Sequence, residues 1–275
     1  MSELGQSTAH YDALKFLFAV SDDVVAGILR AYLVGFPNNY KILTANNYSS
    51  NFLRGLGRTA DTDHVYFQDC DDYADYEQLN LYARGELPMD QVLCFNVIKR
   101  FYNNEGKVVK ERALFNIKEG VIKDIEVLPT CVYSKIIPTV FLRQIEFPNL
   151  PYSQDWAIAY QLFFLGTHRY TSRSTYIYNN YPSSSSAKMF AKVYGTNRVN
   201  CWGRSFCDKL CGEGYQYESD ILNYKYSIML TDVYNSMGVR FFRAHLTWRM
   251  FVQHFRPIAC MGYIYHTLRS IRCVL

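Results

Sequence analysis

The sequence has no apolar leader, no long hydrophobic run and no compact set of cysteines. Its first ten residues are polar, and the late segment 257–268 is too short and too interrupted to cross a bilayer. Its eight cysteines are scattered between Cys70 and Cys273 rather than spaced as a disulfide framework. These absences argue against a secreted, disulfide-rich domain and against a membrane-spanning protein. We therefore expect a cytoplasmic protein with reduced thiols.

Acidic residues are also absent from the C-terminal tail, residues 233–275. The tail holds six arginines, at positions 240, 243, 249, 256, 269 and 272, and aromatic residues alternate with them at loosely helical spacing. Three interpretations fit: a helix in an anionic membrane interface, a helix packed on the domain with wet arginines, or a nucleic-acid surface. We favour the first, which would make the protein peripheral on the inner face of the membrane.

Charged residues make up only 20% of the chain and hydrophobic residues 49%, which allows a large core and argues against global disorder. The 24 tyrosines suit binding surfaces as well as cores. The strongest break is the segment Tyr181–Ser186, which is rich in serine. It predicts two domains, residues 1–180 and a basic, aromatic-rich, mainly helical region at 181–275.

Strand and helix patterns alternate through the first domain. Apolar runs predict strands at Leu14–Val20, Tyr40–Thr44 and Val65–Gln68, and helices are expected between them at Val24–Val34 and Phe52–Thr62. This rhythm is typical of βαβ units. It predicts an α/β fold with a mostly parallel central sheet and flanking helices.

The second half of this domain continues with longer elements. We expect a helix at Tyr76–Arg84, a hairpin formed by Gln91–Phe101 and Lys107–Asn116, a helix at Ser153–Leu165 and a strand at Arg169–Tyr178.

A cluster of carboxylates follows the third predicted strand. Asp69, Asp71 and Asp72 come directly after His64–Gln68. In open α/β sheets ligands bind beyond the strand ends, and carboxylates two residues apart can share one hard divalent cation that holds a diphosphate. The alternative is a solvated turn that caps the next helix, a role that Asp72 suits best.

The cluster belongs to a longer pattern. Asp22 and Asp23 follow the first strand, an asparagine-rich loop follows the second, and Gly57 and Arg58 lie in the helix before His64–Gln68. This order resembles the family 2 glycosyltransferases, which have the Rossmann-like GT-A fold. The resemblance covers about residues 14–180.

The resemblance implies roles for individual residues. In that family an early acid contacts the nucleotide base, and a later Asp-x-Asp holds the metal and the sugar diphosphate. It therefore implies donor contacts from Asp22, Asp23, Arg58 and Asp69. It also implies a Mn²⁺ or Mg²⁺ ion bound by Asp69 and Asp71.

Two downstream segments resemble the same family. Thr130–Ile137 is similar to the segment that shapes the acceptor side, which implies such a role for Lys135. Tyr152–Trp156 is similar to the family's "EDW" motif, with glutamine in place of the first acid. It implies that Asp155 is the catalytic base of an inverting enzyme and that Trp156 lies on the acceptor side.

The implied function is transfer of a sugar from a nucleoside-diphosphate donor, most naturally a UDP-sugar, to an acceptor hydroxyl. The acceptor would be a glycan or a lipid-linked precursor of a cell-surface polysaccharide of the capsule, lipopolysaccharide or teichoic type. Two alternatives stay open. One is a phage-type enzyme that glycosylates modified DNA bases, and the other is a non-catalytic relative that binds sugar nucleotides.

The start of the chain leaves a further alternative. The family usually has another strand and helix before the base-contacting acid, and only thirteen residues precede Leu14. If Phe16–Val20 is the family's first strand, the base contact falls on Asn46 or Asn47 instead of Asp22 or Asp23.

Overall fold

The computed structural model describes residues 11–20, 22–35, 40–44, 54–150, 154–182 and 190–225. They belong to two compact units. The first lies within Met1–Asn149 and Gln154–Ser184, and the second within Leu150–Ser153 and Ser185–Leu275. The candidate site lies entirely in the first unit.

The first unit begins with a βαβ arrangement. Strand β1 (Phe16–Val20) pairs in parallel with β2 (Tyr40–Thr44), and helix α1 (Asp23–Tyr32) lies between them in sequence. The helix begins here because the Asp22 side chain accepts a hydrogen bond from the backbone N–H of Val25 at 2.8 Å. These bounds confirm the predicted strand–helix–strand start.

Within the described ranges, the larger sheet has seven strands. They are β3 (His64–Tyr66), β4 (Tyr73–Ala74), β5 (Gln91–Tyr102), β6 (Val108–Ala113), β7 (Gly120–Ile122), β8 (Lys135–Pro138) and β9 (Thr167–Asn180). Five run in the order β3-β8-β5-β9-β4, while β6 pairs with β5 and β7 with β9.

The α/β prediction, with a central sheet and helices, is confirmed, but this sheet is mixed rather than mostly parallel. Only β5 and β9 pair in parallel among its described strands. The predicted hairpin explains one antiparallel pair, because the turn at Asn103–Gly106 is too short for a crossover and Gly106 adopts a φ of 75°. Strand β8 is antiparallel to both of its neighbours.

The described part of the first unit has four helices with defined bounds, α1, α2 (Tyr76–Arg84), α3 (Thr139–Leu142) and α4 (Gln154–Phe163), and residues 54–55 are also helical. Short 3₁₀ turns occupy Leu56–Thr59, Ile125–Val127 and Val132–Ser134. The centre of the core is formed by β5, where Val92, Phe95 and Val97 have no exposed surface. A strand covered on both faces tolerates such a continuous apolar run, so β5 is expected at the middle of a sheet.

The second unit is helical where it is described. Helix α5 (Phe190–Gly212) is followed by a turn at Gly214, with a φ of 90°, and by helical residues 216–225. Cys207, Leu210 and Leu222 are buried within it. None of the helices in the described ranges is both long enough and apolar enough to cross a membrane. The basic tail lies outside the described residues.

Candidate functional site

Residues Asp69 to Asp72, here called the aspartate turn, lie close to the end of β3 and are held by β9. The Tyr176 hydroxyl accepts a hydrogen bond from the Asp69 backbone N–H at 3.1 Å and donates to the Asp72 carboxylate at 2.7 Å. The Asn179 backbone N–H donates to the other oxygen of Asp72, and its side chain donates to the Asp71 carbonyl, both at 2.7 Å. The turn is therefore fixed to a strand more than a hundred residues away in sequence.

Asp72 has a different role from the helix cap that the sequence suggested. The cap of α2 is Asp75, whose side chain accepts from the Gln78 backbone N–H at 3.0 Å. Burial raises the pKa of Asp72 to about 7, against the opposing effect of its hydrogen bonds from Tyr176 and Asn179. Asp72 therefore belongs to the internal support of the turn.

Arg54 joins this turn to α4. One terminal nitrogen of its guanidinium group lies 3.0 Å from both carboxylate oxygens of Asp69, and the other lies 2.6 Å from Asp155 Oδ1. The side chains are 11% exposed for Arg54, 38% for Asp69 and 22% for Asp155. Burial alone would lower the pKa of Arg54, but the two carboxylates outweigh it and raise this pKa. We call this arrangement the Arg54 bridge.

Asp155 lies in the first turn of α4, where a carboxylate is favoured by the helix dipole. Burial raises its pKa, and Arg54 provides the largest opposing effect. A backbone hydrogen bond from Val132 and the nearby ammonium of Lys135 also lower this pKa. The neighbouring Asp69 carboxylate adds to the effect of burial, and together they keep the pKa of Asp155 above its ordinary value.

Lys135 is a buried cation near Asp155. The residue is fully buried, and its Nζ donates hydrogen bonds to the carbonyl oxygens of Pro129 at 2.7 Å and Cys131 at 2.5 Å. These bonds hold the segment that carries the Val132 N–H. In this arrangement the ammonium group faces the chain's own carbonyls, so the predicted acceptor-side contact has no exposed surface here.

A row of tyrosine rings continues from the turn. Tyr133 lies between Tyr176 and Tyr178, with ring centroids 4.6 Å and 5.8 Å away and interplanar angles of 25° and 8°. The Lys99 ammonium lies 5.1 Å from the centroid of the Tyr178 ring. These stacked rings fix the side chain that holds the aspartate turn.

Arg58 is used within the fold. Its guanidinium group donates to the carbonyl oxygens of Leu142, at 3.1 Å, and of Ile145, and lies 4.7 Å from the centroid of the Phe147 ring. Its donors therefore hold the last residue of α3 and the segment that follows it. Its predicted phosphate contact stays a prediction.

The remaining predicted residues have local contacts. Asp22 caps α1, and Asp23 is exposed in the first turn of that helix. Trp156 packs edge-on against Tyr160, with ring centroids 5.9 Å apart. The alternative base-contacting residues, Asn46 and Asn47, lie outside the described residues.

The carboxylates do not form a metal cage made by the protein alone. Across the described ranges, no group of three or more His, Cys, Asp or Glu side chains could hold a metal ion. Asp69 is partly exposed and Asp71 is exposed. Magnesium is commonly bound by one or two carboxylates together with substrate phosphates, so this pair suits a cation that arrives with a diphosphate.

Arg54, Tyr176 and Asn179 were not among the site residues predicted from the sequence. Arg54 belongs to the same predicted helix as Arg58, so a second arginine four residues upstream was a visible signal. Tyr176 and Asn179 had no local signal, because their role depends on β9 lying next to the aspartate turn.

Comparisons with known proteins point to one fold. No family model matches the chain, and no curated protein sequence matches it. The chain is similar to the crystal structure of S. aureus TarS residues 1–349, a teichoic acid glycosyltransferase, with a TM-score of 0.53 and 15% sequence identity. The alignment covers 95% of this chain and 81% of that one. The chain therefore shares the fold of that structure.

Proposed function

We propose that this protein is a metal-dependent, inverting glycosyltransferase that moves a sugar from a nucleoside-diphosphate donor, most naturally a UDP-sugar, to an acceptor hydroxyl. The observation that carries the proposal is the Arg54 bridge. It brings together the carboxylate assigned to donor and metal, Asp69, and the carboxylate assigned to proton removal, Asp155. Both lie on a fold shared with a teichoic acid glycosyltransferase.

Asp69 and Asp71 would hold the divalent cation, Mn²⁺ or Mg²⁺. Their oxygens are the hard ligands that such ions prefer, and both side chains have surface available to a ligand. The ion would stabilise the negative charge that develops on the diphosphate as its bond to the sugar breaks. Tyr176 and Asn179 would keep the aspartate turn in place during this step.

Asp155 would act as the general base. It would take the proton from the attacking acceptor hydroxyl on the face of the sugar opposite the diphosphate, and attack from that face inverts the anomeric centre. Lys135 and the Val132 N–H favour its charged form, in which it can accept a proton. Trp156 follows it in sequence and stays assigned to the acceptor side.

We assign the acceptor to cell-surface glycan synthesis, because the structural neighbour is a teichoic acid glycosyltransferase. Asp22, Asp23 and Arg58 stay assigned to the donor. Contact of the basic tail with an anionic membrane stays a prediction, since the tail lies outside the described residues.

The direct test is a panel of nucleotide sugars with Mn²⁺, scored for thermal stabilisation and for release of nucleoside diphosphate. We expect one donor to be hydrolysed slowly in a reaction that a chelator stops. Asp71→Ala should lose metal-dependent donor binding. Asp155→Asn should bind the donor but lose about 10²–10⁴-fold in turnover. Asp61→Asn, which removes an exposed surface carboxylate paired with Lys15, is the matched control.

Two outcomes would contradict parts of the proposal. Turnover by Asp155→Asn at the wild-type rate would exclude Asp155 as the base. Absence of stabilisation and of release with every donor would contradict the enzymatic function.

The non-catalytic alternative has one observation in its favour: the proposed base is engaged by Arg54. A sensor of sugar nucleotides would bind donor tightly and release no nucleoside diphosphate. The same panel separates the two functions.

A further inference from the structure

Arg54 contacts both carboxylates that the proposed function needs. Its guanidinium takes both oxygens of Asp69, the proposed metal ligand, and one oxygen of Asp155, the proposed base. The Asp155 carboxylate also accepts a backbone hydrogen bond from Val132. A cation at Asp69 and a proton at Asp155 would therefore each compete with the same guanidinium.

We propose that Arg54 is an internal cation that makes metal binding conditional on the donor diphosphate. Without a nucleotide, Arg54 occupies Asp69 and hinders a divalent ion. When a diphosphate binds, the guanidinium turns to its oxygens, which frees Asp69 for the metal and Asp155 for the acceptor proton. This inference rests on the proposed function.

The chemistry of the two partners favours this exchange. A guanidinium is a planar fork of donors that matches phosphate as well as carboxylate, and it carries its charge at all working pH values. The Arg54 side chain is only 11% exposed. If it left the two carboxylates with no other anion to bind, the buried ion pairs would be lost and their free energy would not be replaced. A diphosphate supplies a replacement anion, and the metal restores a cation to Asp69.

The exchange has a thermodynamic signature. If Arg54 and the metal compete for Asp69, and the diphosphate removes Arg54, the metal and the nucleotide must strengthen each other's binding by the same factor. If the Arg54 guanidinium only stabilised the fold, replacing it would leave the coupling between metal binding and nucleotide binding unchanged.

The experiment measures the coupling directly. Binding of Mn²⁺ to the ligand-free full-length protein is followed by the electron paramagnetic resonance of free Mn²⁺, and UDP binding is measured by calorimetry without and with saturating Mn²⁺. We expect Arg54→Gln to bind Mn²⁺ alone about tenfold more tightly than the wild type, or more, because it removes a cation that directly competes. The gain in UDP affinity caused by Mn²⁺ should shrink by a similar factor.

Two variants complete the design. Arg84→Gln removes an arginine whose ion pair with Asp12 is exposed, and it should behave as the wild type. Arg54→Lys keeps the charge but lacks the fork that holds both carboxylates. Its Mn²⁺ affinity should lie between those of the wild type and Arg54→Gln.

The outcomes separate this inference from the function on which it rests. Both Arg54 variants could bind Mn²⁺ with wild-type affinity while their UDP binding still depends on Mn²⁺. That result would overturn the role of Arg54 and leave the proposed function intact. No binding of Mn²⁺ or UDP to the wild type would overturn both. If the variants fail to fold, a structure of the wild type with UDP and Mn²⁺ decides: an intact Arg54–Asp69 pair would refute the exchange.

Discussion

His168 should make the stability of the first unit depend on pH in the weakly acidic range. The residue lies in β9 between Val92 of β5 and Ile122 of β7, and it is 1% exposed. Its ring lies 5.8 Å from that of Phe163, and its Nδ1 lies 3.8 Å from the Cys94 sulfur. Burial lowers the pKa of His168 to about 4, and the buried ammonium of Lys135 also lowers it.

The sign follows from proton binding. Between pH 4 and about 6.5 the unfolded chain binds a proton at this histidine and the folded chain does not, so acid favours unfolding. The contribution is fully present above the unfolded pKa and is lost as the pH falls to the folded one. At about 1.36 kcal/mol per pH unit, the full effect is about 3 kcal/mol, of which about 2 kcal/mol is lost by pH 5.

The assay is urea denaturation of the wild type and of His168→Leu at several pH values from 7.5 to 4.5. Leucine fills the apolar site without a titratable group, so stability at pH 7.5 should change by less than about 1.5 kcal/mol. The difference between the two profiles isolates residue 168 and should move by about 2 kcal/mol in favour of the variant by pH 5. Parallel profiles would refute a neutral, buried histidine.

Three further substitutions test packing and support of the site. Gly166→Ala places a Cβ 2.5 Å from the backbone oxygen of Asp90 and should lower the free energy of unfolding, measured by urea denaturation, by about 1–3 kcal/mol. Gly27→Ala is the control, because Gly27 has open space around it and the change should not destabilise the protein. Equal effects of the two substitutions would contradict this reasoning. Tyr176→Phe removes the hydroxyl that holds the aspartate turn. It should lower the free energy of unfolding by about 1–3 kcal/mol and weaken Mn²⁺-dependent donor binding. Unchanged donor affinity would show that this hydroxyl does not support the donor site. Lys135→Met removes a cation that lowers the pKa of Asp155, so the acidic limb of the pH–rate profile should move to higher pH. An unmoved limb would show that Lys135 does not influence the ionisation of Asp155.

Local patterns predicted the elements well where their boundaries depend on neighbouring residues. The predicted strand Tyr40–Thr44 and the predicted helix Tyr76–Arg84 have the same bounds in the structure. The helix is delimited by the Asp75 cap and by Gly85, both of which are read from adjacent positions. These signals do not depend on which strand pairs with which.

Pairing in the sheet could not be predicted in the same way. The hairpin of β5 and β6 was expected from its turn, but the parallel pairing of β5 with β9 joins segments far apart in sequence. The interpretation of Asp72 failed for the same reason. A carboxylate before a helix is usually a cap, and only contact with Tyr176 and Asn179 of β9 gives it another partner.

The choice between Arg54 and Arg58 was decided by helix geometry rather than by residue type. Residues four apart lie on nearly the same face of an α-helix, so both arginines were equivalent candidates on the predicted helix Phe52–Thr62. The structure changes to a 3₁₀ turn at Leu56–Thr59, where each residue rotates by about 120°, so residues four positions apart no longer lie on the same face. Arg54 therefore faces the carboxylates, while Arg58 binds carbonyls at the end of α3 and just after it.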